Sequence, residues 1–403
     1  MRRCHVTARL LTTLLAGVIA LPAFAFETSA RSAYVVDLTT NTVLLEKNAQ
    51  VPLPPASMSK LMTLNMLFEA LEDGRVSLDT QFNVSQRAMD MGGSTMFLTT
   101  QDRPTVEELI KGIIVLSGND ACVVVAEGLG GTEDAFASMM TQRARALGME
   151  NSTFGNASGW PHPAQRMSTE DLAILAERLI EEFPQYYHYF GIEEFPYDGR
   201  APDNRFNRNP LFDLGLGADG LKTGHTQEAG YGLVGSAMQG NRRVVLVVSG
   251  LDSEAARRSE SAAIINFAFR QFVMRTAVES GQVIAEIPVW LGEAQTVSLA
   301  APEDVELLIP VTAHEGIKGE VTWSGPVEAP ISKGDEIATF TIVREGMSDT
   351  VIPLVAADDV AAAGFLPRFT TAAGQVFSMA RDLAGIGAGA EAEDAATEEP
   401  AVN

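Results

Sequence analysis

The sequence predicts an α+β architecture, an antiparallel sheet packed against helices, followed by a small all-β domain. Three observations carry this reading. Strand-like segments at Ser32–Leu45 and Tyr231–Leu251 enclose a run of helical patterns. Within that run, apolar residues recur at helical rather than alternating spacing. From about Ser280 the texture changes to short β-like segments separated by turns.

Residues 1–25 read as a secretory signal. Arg2, Arg3 and Arg9 form a positive n-region, an apolar stretch runs from Leu10 to about Leu21, and Ala23-Phe24-Ala25 is a small-x-small cleavage site. That apolar stretch is short for a spanning helix. Residues Ser32–Leu45 alternate as a hairpin with Asn41 near its turn, and Pro54-Pro55 ends the extended chain. Ser57–Leu71 is a helix carrying Leu61, Leu64, Leu67, Phe68 and Leu71. Val106–Leu116 and Ala121–Gly128 follow as helices around a short turn, then Asp134–Leu147 and Thr169–Phe183, with Ser168 or Thr169 as N-cap. Tyr231–Leu251 forms two strands turning at Gln239-Gly240-Asn241, and the apolar run Val244–Val248 suits a strand buried on both faces. Ser259–Val273 closes this domain, residues 26–276, as a helix.

The β domain, residues 280–356, takes Ile287–Leu291, Thr296–Ala300, Val305–Pro310, Ile317–Trp323 and Ile337–Val343 as strands. Residues 361–384 return to helical spacing. They form either an amphipathic helix lying on a membrane surface or a helix packed on its own protein. Gly374 and the low basic charge weigh against the first. The acidic tail, residues 385–403, is expected to be disordered.

The formal net charge is −23, from 29 basic and 52 acidic residues. Such a surplus argues against a nucleic-acid partner, since phosphate requires basic neutralisation, and it favours solubility. Removal of residues 1–25 leaves Cys122 as the single cysteine, so no internal disulfide forms; its apolar surroundings read as a buried small hydrophobe. His5, His162, His188, His225 and His314 contain no His-Glu-x-x-His pair, and neither metal nor cofactor is expected.

Three short motifs hold the chemistry: Ser57-Met58-Ser59-Lys60, Ser117-Gly118-Asn119 and Lys222-Thr223-Gly224. The chain has six lysines, and only Lys60 has a serine three positions before it. Residues i and i+3 share a helix face, whereas Ser59 beside Lys60 points elsewhere. Serine needs an adjacent base to become a nucleophile, and a lysine serves once burial and a second cation lower its basicity; a guanidinium never deprotonates. Ser117 then offers a hydroxyl for proton relay and Asn119 an amide for positioning. Lys222 adds positive potential near a substrate carboxylate, and Gly224 leaves room beside the strand.

This ordered set resembles that of penicillin-binding proteins and serine β-lactamases. The surroundings, Pro55–Thr63, Leu116–Ala121 and Asp219–Thr226, together with Asn156–Pro161 and Ala229-Gly230-Tyr231, look like the low-molecular-mass D-alanyl-D-alanine carboxypeptidases. The resemblance implies the transpeptidase-like fold of that group. It implies that Ser57 attacks the bond between two terminal D-alanines of a peptidoglycan stem peptide, forming an acyl-enzyme that water then releases. Backbone N–H groups of Ser57 and His225 would form the oxyanion hole, and Lys222 and Thr223, with Arg208, would hold the terminal carboxylate. β-Lactams would acylate the same serine. The implied setting is the periplasm, with peripheral association to the inner membrane, although residues 361–384 are less basic than such anchors usually are. Three rivals remain. A class A β-lactamase requires a Glu-x-x-Leu-Asn stretch that is missing between the second and third motifs. A D,D-endopeptidase would share all three motifs. A non-enzymatic peptidoglycan-binding module would not need Ser57, Lys60, Ser117 and Lys222 intact.

Overall fold

The computed structural model describes residues 26–200, 202–311, 318–344 and 349–364. The expected signal, His314, most of the helix expected at 361–384, and the acidic tail lie outside the described residues. The chain divides into two compact units, one ending at Gln271 and the other beginning at Phe272.

In the first unit, strands β1 (Ser32–Asp37) and β2 (Thr42–Lys47) form the expected hairpin, with Asn41 at φ 49° in its turn. A 3₁₀ turn at Ala56–Ser59 leads into α1 (Lys60–Glu72). There follow α2 (Gln86–Met89), α3 (Val106–Lys111), a π-turn at Gly112–Leu116, α4 (Asn119–Gly130), α5 (Glu133–Ala146), α6 (Thr169–Glu181) and α7 (Pro184–Tyr187). Ser168 caps α6 by accepting from the Asp171 N–H, and a Thr105–Glu108 capping box starts α3. Strands β3 (Ala218–Thr226), β4 (Gly230–Gln239) and β5 (Arg242–Leu251) then precede α8 (Glu254–Arg270).

The sheet runs β2-β1-β5-β4-β3, antiparallel throughout, so the two ends of the unit meet at β1 and β5. Strand β5 is buried on both faces, as its apolar run requires. Val244, Leu246 and Val248 pack with Ile264, Ile265 and Ala268 of α8, while Val245 and Val247 join the helical layer on the other side. Strand β3 lies at the sheet edge.

A buried ion pair ties this layering together. Arg242 donates to Asp37 Oδ2 from Nε at 2.9 Å and to the Ala268 carbonyl at 3.0 Å, joining β5, β1 and α8. Both side chains are buried.

The second unit starts earlier than expected because Phe272 and Val273 do not end the helix. They open β6 (Phe272–Val278), which pairs with β9 (Val305–Pro310). β-branched residues at Val273, Thr276 and Val278 favour that extended course. Strands β7 (Val283–Trp290), β8 (Thr296–Ala300), β10 (Lys318–Thr322), β11 (Val327–Glu328), β12 (Glu336–Val343) and β13 (Thr350–Ala356) form a sheet ordered β10-β12-β13-β8-β7-β11. Ile287, Leu299, Ile342 and Leu354 fill its core. No helix among the described residues is long and apolar enough to cross a membrane.

Replacing Arg242 by Met leaves the Asp37 carboxylate buried without its countercharge. Urea unfolding should show a loss of about 3–5 kcal/mol; an unchanged midpoint would show that the pair contributes nothing.

Candidate active site

Three distant segments converge on Lys60. The i, i+3 relation across the 3₁₀-to-α junction brings its Nζ to 2.9 Å from Ser57 Oγ. The same nitrogen donates to Asn119 Oδ1 at 2.8 Å and to the Ser158 carbonyl at 2.6 Å. Lys60 is completely buried, 0% exposed. Burial pulls its ammonium from the ordinary 10.5 down to about 8; the Cys122 thiol and Asp120 act upward and the Arg208 guanidinium downward. A neutral Lys60 amine has two N–H bonds and one lone pair. With the Asn119 and Ser158 oxygens taking the two N–H bonds, the lone pair is left facing Ser57 Oγ.

Asn119 is fixed from several directions. Its Nδ2 donates to the Gly92 carbonyl at 2.8 Å and its backbone N–H to the Ser94 carbonyl at 2.7 Å, which turns Oδ1 toward Lys60. The neighbouring Asp120 carboxylate accepts from the backbone N–H groups of Met96 and Leu98, so the start of α4 also shapes the loop at 92–98. Ser117 follows the π-turn in a left-handed conformation at φ 60°, and Ala56 precedes Ser57 at φ 48°. Each such residue costs roughly 1–2 kcal/mol, and such strain concentrates at functional sites. Ser117 Oγ is buried and makes no hydrogen bond among the described residues.

Edge strand β3 passes close to this turn. A side chain at Gly224 would place its Cβ 2.8 Å from the Pro55 carbonyl, so only glycine lets the strand approach the Ser57 turn. Ser57, Ser117, Asn119, Arg208, Thr223, Gly224 and His225 consequently line one cleft of about 470 Å³. Lys222 is buried rather than lining it, and donates to the Thr223 carbonyl at 3.3 Å. Burial, then Arg208, then Lys60 push the Lys222 ammonium well below its ordinary 10.5. Arg208 donates to Ser94 Oγ and to the Leu116 carbonyl, both at 3.2 Å. Seven of the nine expected residues thus line the cleft, Lys60 contacts Ser57 from a buried position, and Lys222 is buried in β3 without lining it. The thiol of Cys122 is buried there too, and burial raises it to about 12, consistent with a packing role.

Several cleft residues were not among the expected site residues, although Trp160 and Tyr231 lie in segments that carried the family resemblance. Arg257 on α8 is buried, its guanidinium over the Tyr231 ring at 5.7 Å and its Nε without a hydrogen bond. Tyr231 stacks on His225 with ring centroids 3.9 Å apart. Trp160 also lines the cleft, 46% exposed. Glu254, paired with Arg257 at 3.0 Å, is the acid among the lining residues. The Ser158 carbonyl has no side-chain signature, although the Asn-Ala-Ser-Gly turn around it was visible. Arg257 stands among 23 arginines and offered no contrast.

The chain is similar to known proteins along most of its length. Residues 19–253 match the family model for D-alanyl-D-alanine carboxypeptidase, and residues 272–362 that for the penicillin-binding protein 5 C-terminal domain. The chain is 33% identical to the D-alanyl-D-alanine carboxypeptidase DacF of Bacillus subtilis over 89% of its own length and 96% of that protein. It is 34% identical to the carboxypeptidase DacC of Escherichia coli, over 84% of this chain and 86% of that one. Penicillin-binding protein 5 from Haemophilus influenzae superposes with a TM-score of 0.71 at 29% identity, covering 84% of this chain and 99% of that one. The ampicillin-bound penicillin-binding protein D2 of Listeria monocytogenes is also similar, with a TM-score of 0.55 at 29% identity over 61% of this chain and 99% of its own. The chain belongs to the D-alanyl-D-alanine carboxypeptidase family.

Proposed function

We propose that the protein removes the terminal D-alanine from peptidoglycan stem pentapeptides through an acyl-enzyme on Ser57. The observation that carries this reading is the 2.9 Å approach of a fully buried Lys60 Nζ to Ser57 Oγ, with oxygens already placed for its two N–H bonds.

Neutral Lys60 takes the Ser57 proton as Oγ attacks the carbonyl between the two D-alanines. The Ser57 and His225 N–H groups receive the developing oxyanion. The intermediate collapses with cleavage of the C–N bond. The departing amine takes the proton back from Lys60 through Ser117, whose unpartnered hydroxyl suits a relay. Thr223 and Arg208, which line the cleft, gather the substrate carboxylate, joined by Arg257 with its unused Nε–H, and buried Lys222 adds positive potential from β3. The free side of β3 lies along the peptide. Water then releases the shortened stem, and β-lactams acylate the same Ser57. The basic n-region and Ala23-Phe24-Ala25 support export to the periplasm. Peripheral association with the inner membrane rests on residues 361–384.

Incubation with a pentapeptide ending in D-Ala-D-Ala should release D-alanine, and penicillin should leave a covalent mass adduct on Ser57. Ser57→Ala should lose both, and D-alanine release by that variant would refute the assignment. Lys60→Arg should lower turnover about 10²–10⁴-fold, nearly as much as Lys60→Ala; full activity would remove the neutral-base role. Because a protonated Lys60 cannot accept a proton, penicillin acylation should fall as pH drops below about 8 and level off above it. A rate independent of pH across that interval would contradict the mechanism. Parallel assays on linear and cross-linked peptides separate carboxypeptidase from endopeptidase action.

A further inference from the structure

The Ser158 carbonyl reaches Lys60 only because the loop carrying it is held in one shape, and a single amide does most of the holding. Asn156 Oδ1 accepts from three backbone N–H groups, those of Ser158 at 3.2 Å, Gly159 at 2.8 Å and Trp160 at 3.0 Å. Its Nδ2 donates to the Trp160 carbonyl at 2.9 Å. Both ends of the loop are anchored. The Asn156 N–H donates to Gln165 Oε1 and the Ala157 N–H to Glu133 Oε1, both at 3.1 Å, and Thr63 Oγ1 donates to the Ala157 carbonyl at 2.6 Å. Gly159, at φ 81°, presses against Ala56, where a Cβ would come within 1.9 Å of the carbonyl oxygen. The Asn156 side chain is itself buried, touches no reacting group and does not line the cleft.

We propose that Asn156 is a positioning residue for acylation: its amide closes the 156–160 loop so that the Ser158 carbonyl takes one Lys60 N–H bond and the amine lone pair is turned toward Ser57 Oγ. This rests on the reading of Lys60 as the base. Without Oδ1, the Ser158 and Gly159 N–H groups lose their acceptor and that of Trp160 keeps only the longer bond to Ser158 Oγ at 3.3 Å, so the Ser158 carbonyl is held less firmly on Nζ.

Two consequences then run in opposite directions. The lone pair is aimed less well, which lowers the rate. At the same time an oxygen that favoured the ammonium withdraws, so Lys60 loses its proton at lower pH. The other groups that face Lys60 are Ser57, Asn119, Asp120, Cys122, Arg208 and Lys222, of which Asn119 and Arg208 are held by Gly92, Ser94 and Leu116 rather than by Asn156. A purely structural defect would reduce the active fraction without moving the pH limb of the survivors.

The experiment measures acylation of the full chain by a fluorescent penicillin as a function of pH, in wild type, Asn156→Ala and Asn156→Asp, with thermal melts as the folding control. Asn156→Ala should lower the plateau rate about 10- to 100-fold and move the limb to lower pH. Asn156→Asp, which keeps the acceptor for the three N–H groups, should recover most of the rate. The proposal is overturned if Asn156→Ala acylates at the wild-type rate, if its rate falls with the limb unmoved, or if Asp is as slow as Ala. Should Asn156→Ala not melt cooperatively, Asn156→Ser, with a shorter acceptor, is read in its place against the same criteria. A wild type that is not acylated at all would instead defeat the reading of Lys60 and Ser57, whatever Asn156 does.

Discussion

Burying an ammonium away from water is costly unless oxygen atoms replace the solvent it loses. Lys60 has three, at 2.6, 2.8 and 2.9 Å, and they come from α1's own leading turn, the start of α4 and the 156–160 loop. The arrangement tolerates both protonation states. As an ammonium, Lys60 donates to all three oxygens; as an amine, it donates to two and accepts from Ser57. Much of the surrounding backbone serves this convergence, including the left-handed Ala56 and Ser117, the Asn119 contacts to Gly92 and Ser94, and the tight passage of Gly224 beside Pro55.

The cleft inverts the charge of the molecule around it. The chain carries a net −23, yet Lys60, Lys222, Arg208 and Arg257 gather here against Glu254. That cluster does two things at once. It places positive charge around the cleft, and within it burial first, then Arg208, depresses Lys60, while burial, Arg208 and Lys60 depress Lys222. On the proposed mechanism an arginine at position 60 would keep the positive charge and abolish the base.

What the sequence revealed and what it hid follow from the range of the interactions. Local patterns were legible: the β1–β2 hairpin, the Ser168 cap, and β5, whose unbroken apolar run announced burial on both faces. The pairing of Ser57 with Lys60 was legible because helical spacing alone puts them together. Contacts made by backbone atoms were not. The Ser158 carbonyl sits 98 residues from Lys60 and leaves no mark on residue type. The loop at 92–98, pinned by Asn119 and Asp120, lacks periodicity altogether. Phe272 and Val273 fitted the helical spacing of α8, but pairing with β9 draws them into a strand. Arg257 was hidden for a compositional reason, since its importance lies in an unpaired Nε that only packing produces.

The most direct test of the account is a titration of the lysine side chains by NMR, tractable because the chain has six of them. With ¹⁵N-labelled lysine, one Nζ signal should titrate near pH 8 and disappear in Lys60→Met. If the signal assigned to Lys60 instead titrates near the ordinary 10.5, the amine is not available as the base and the mechanism fails.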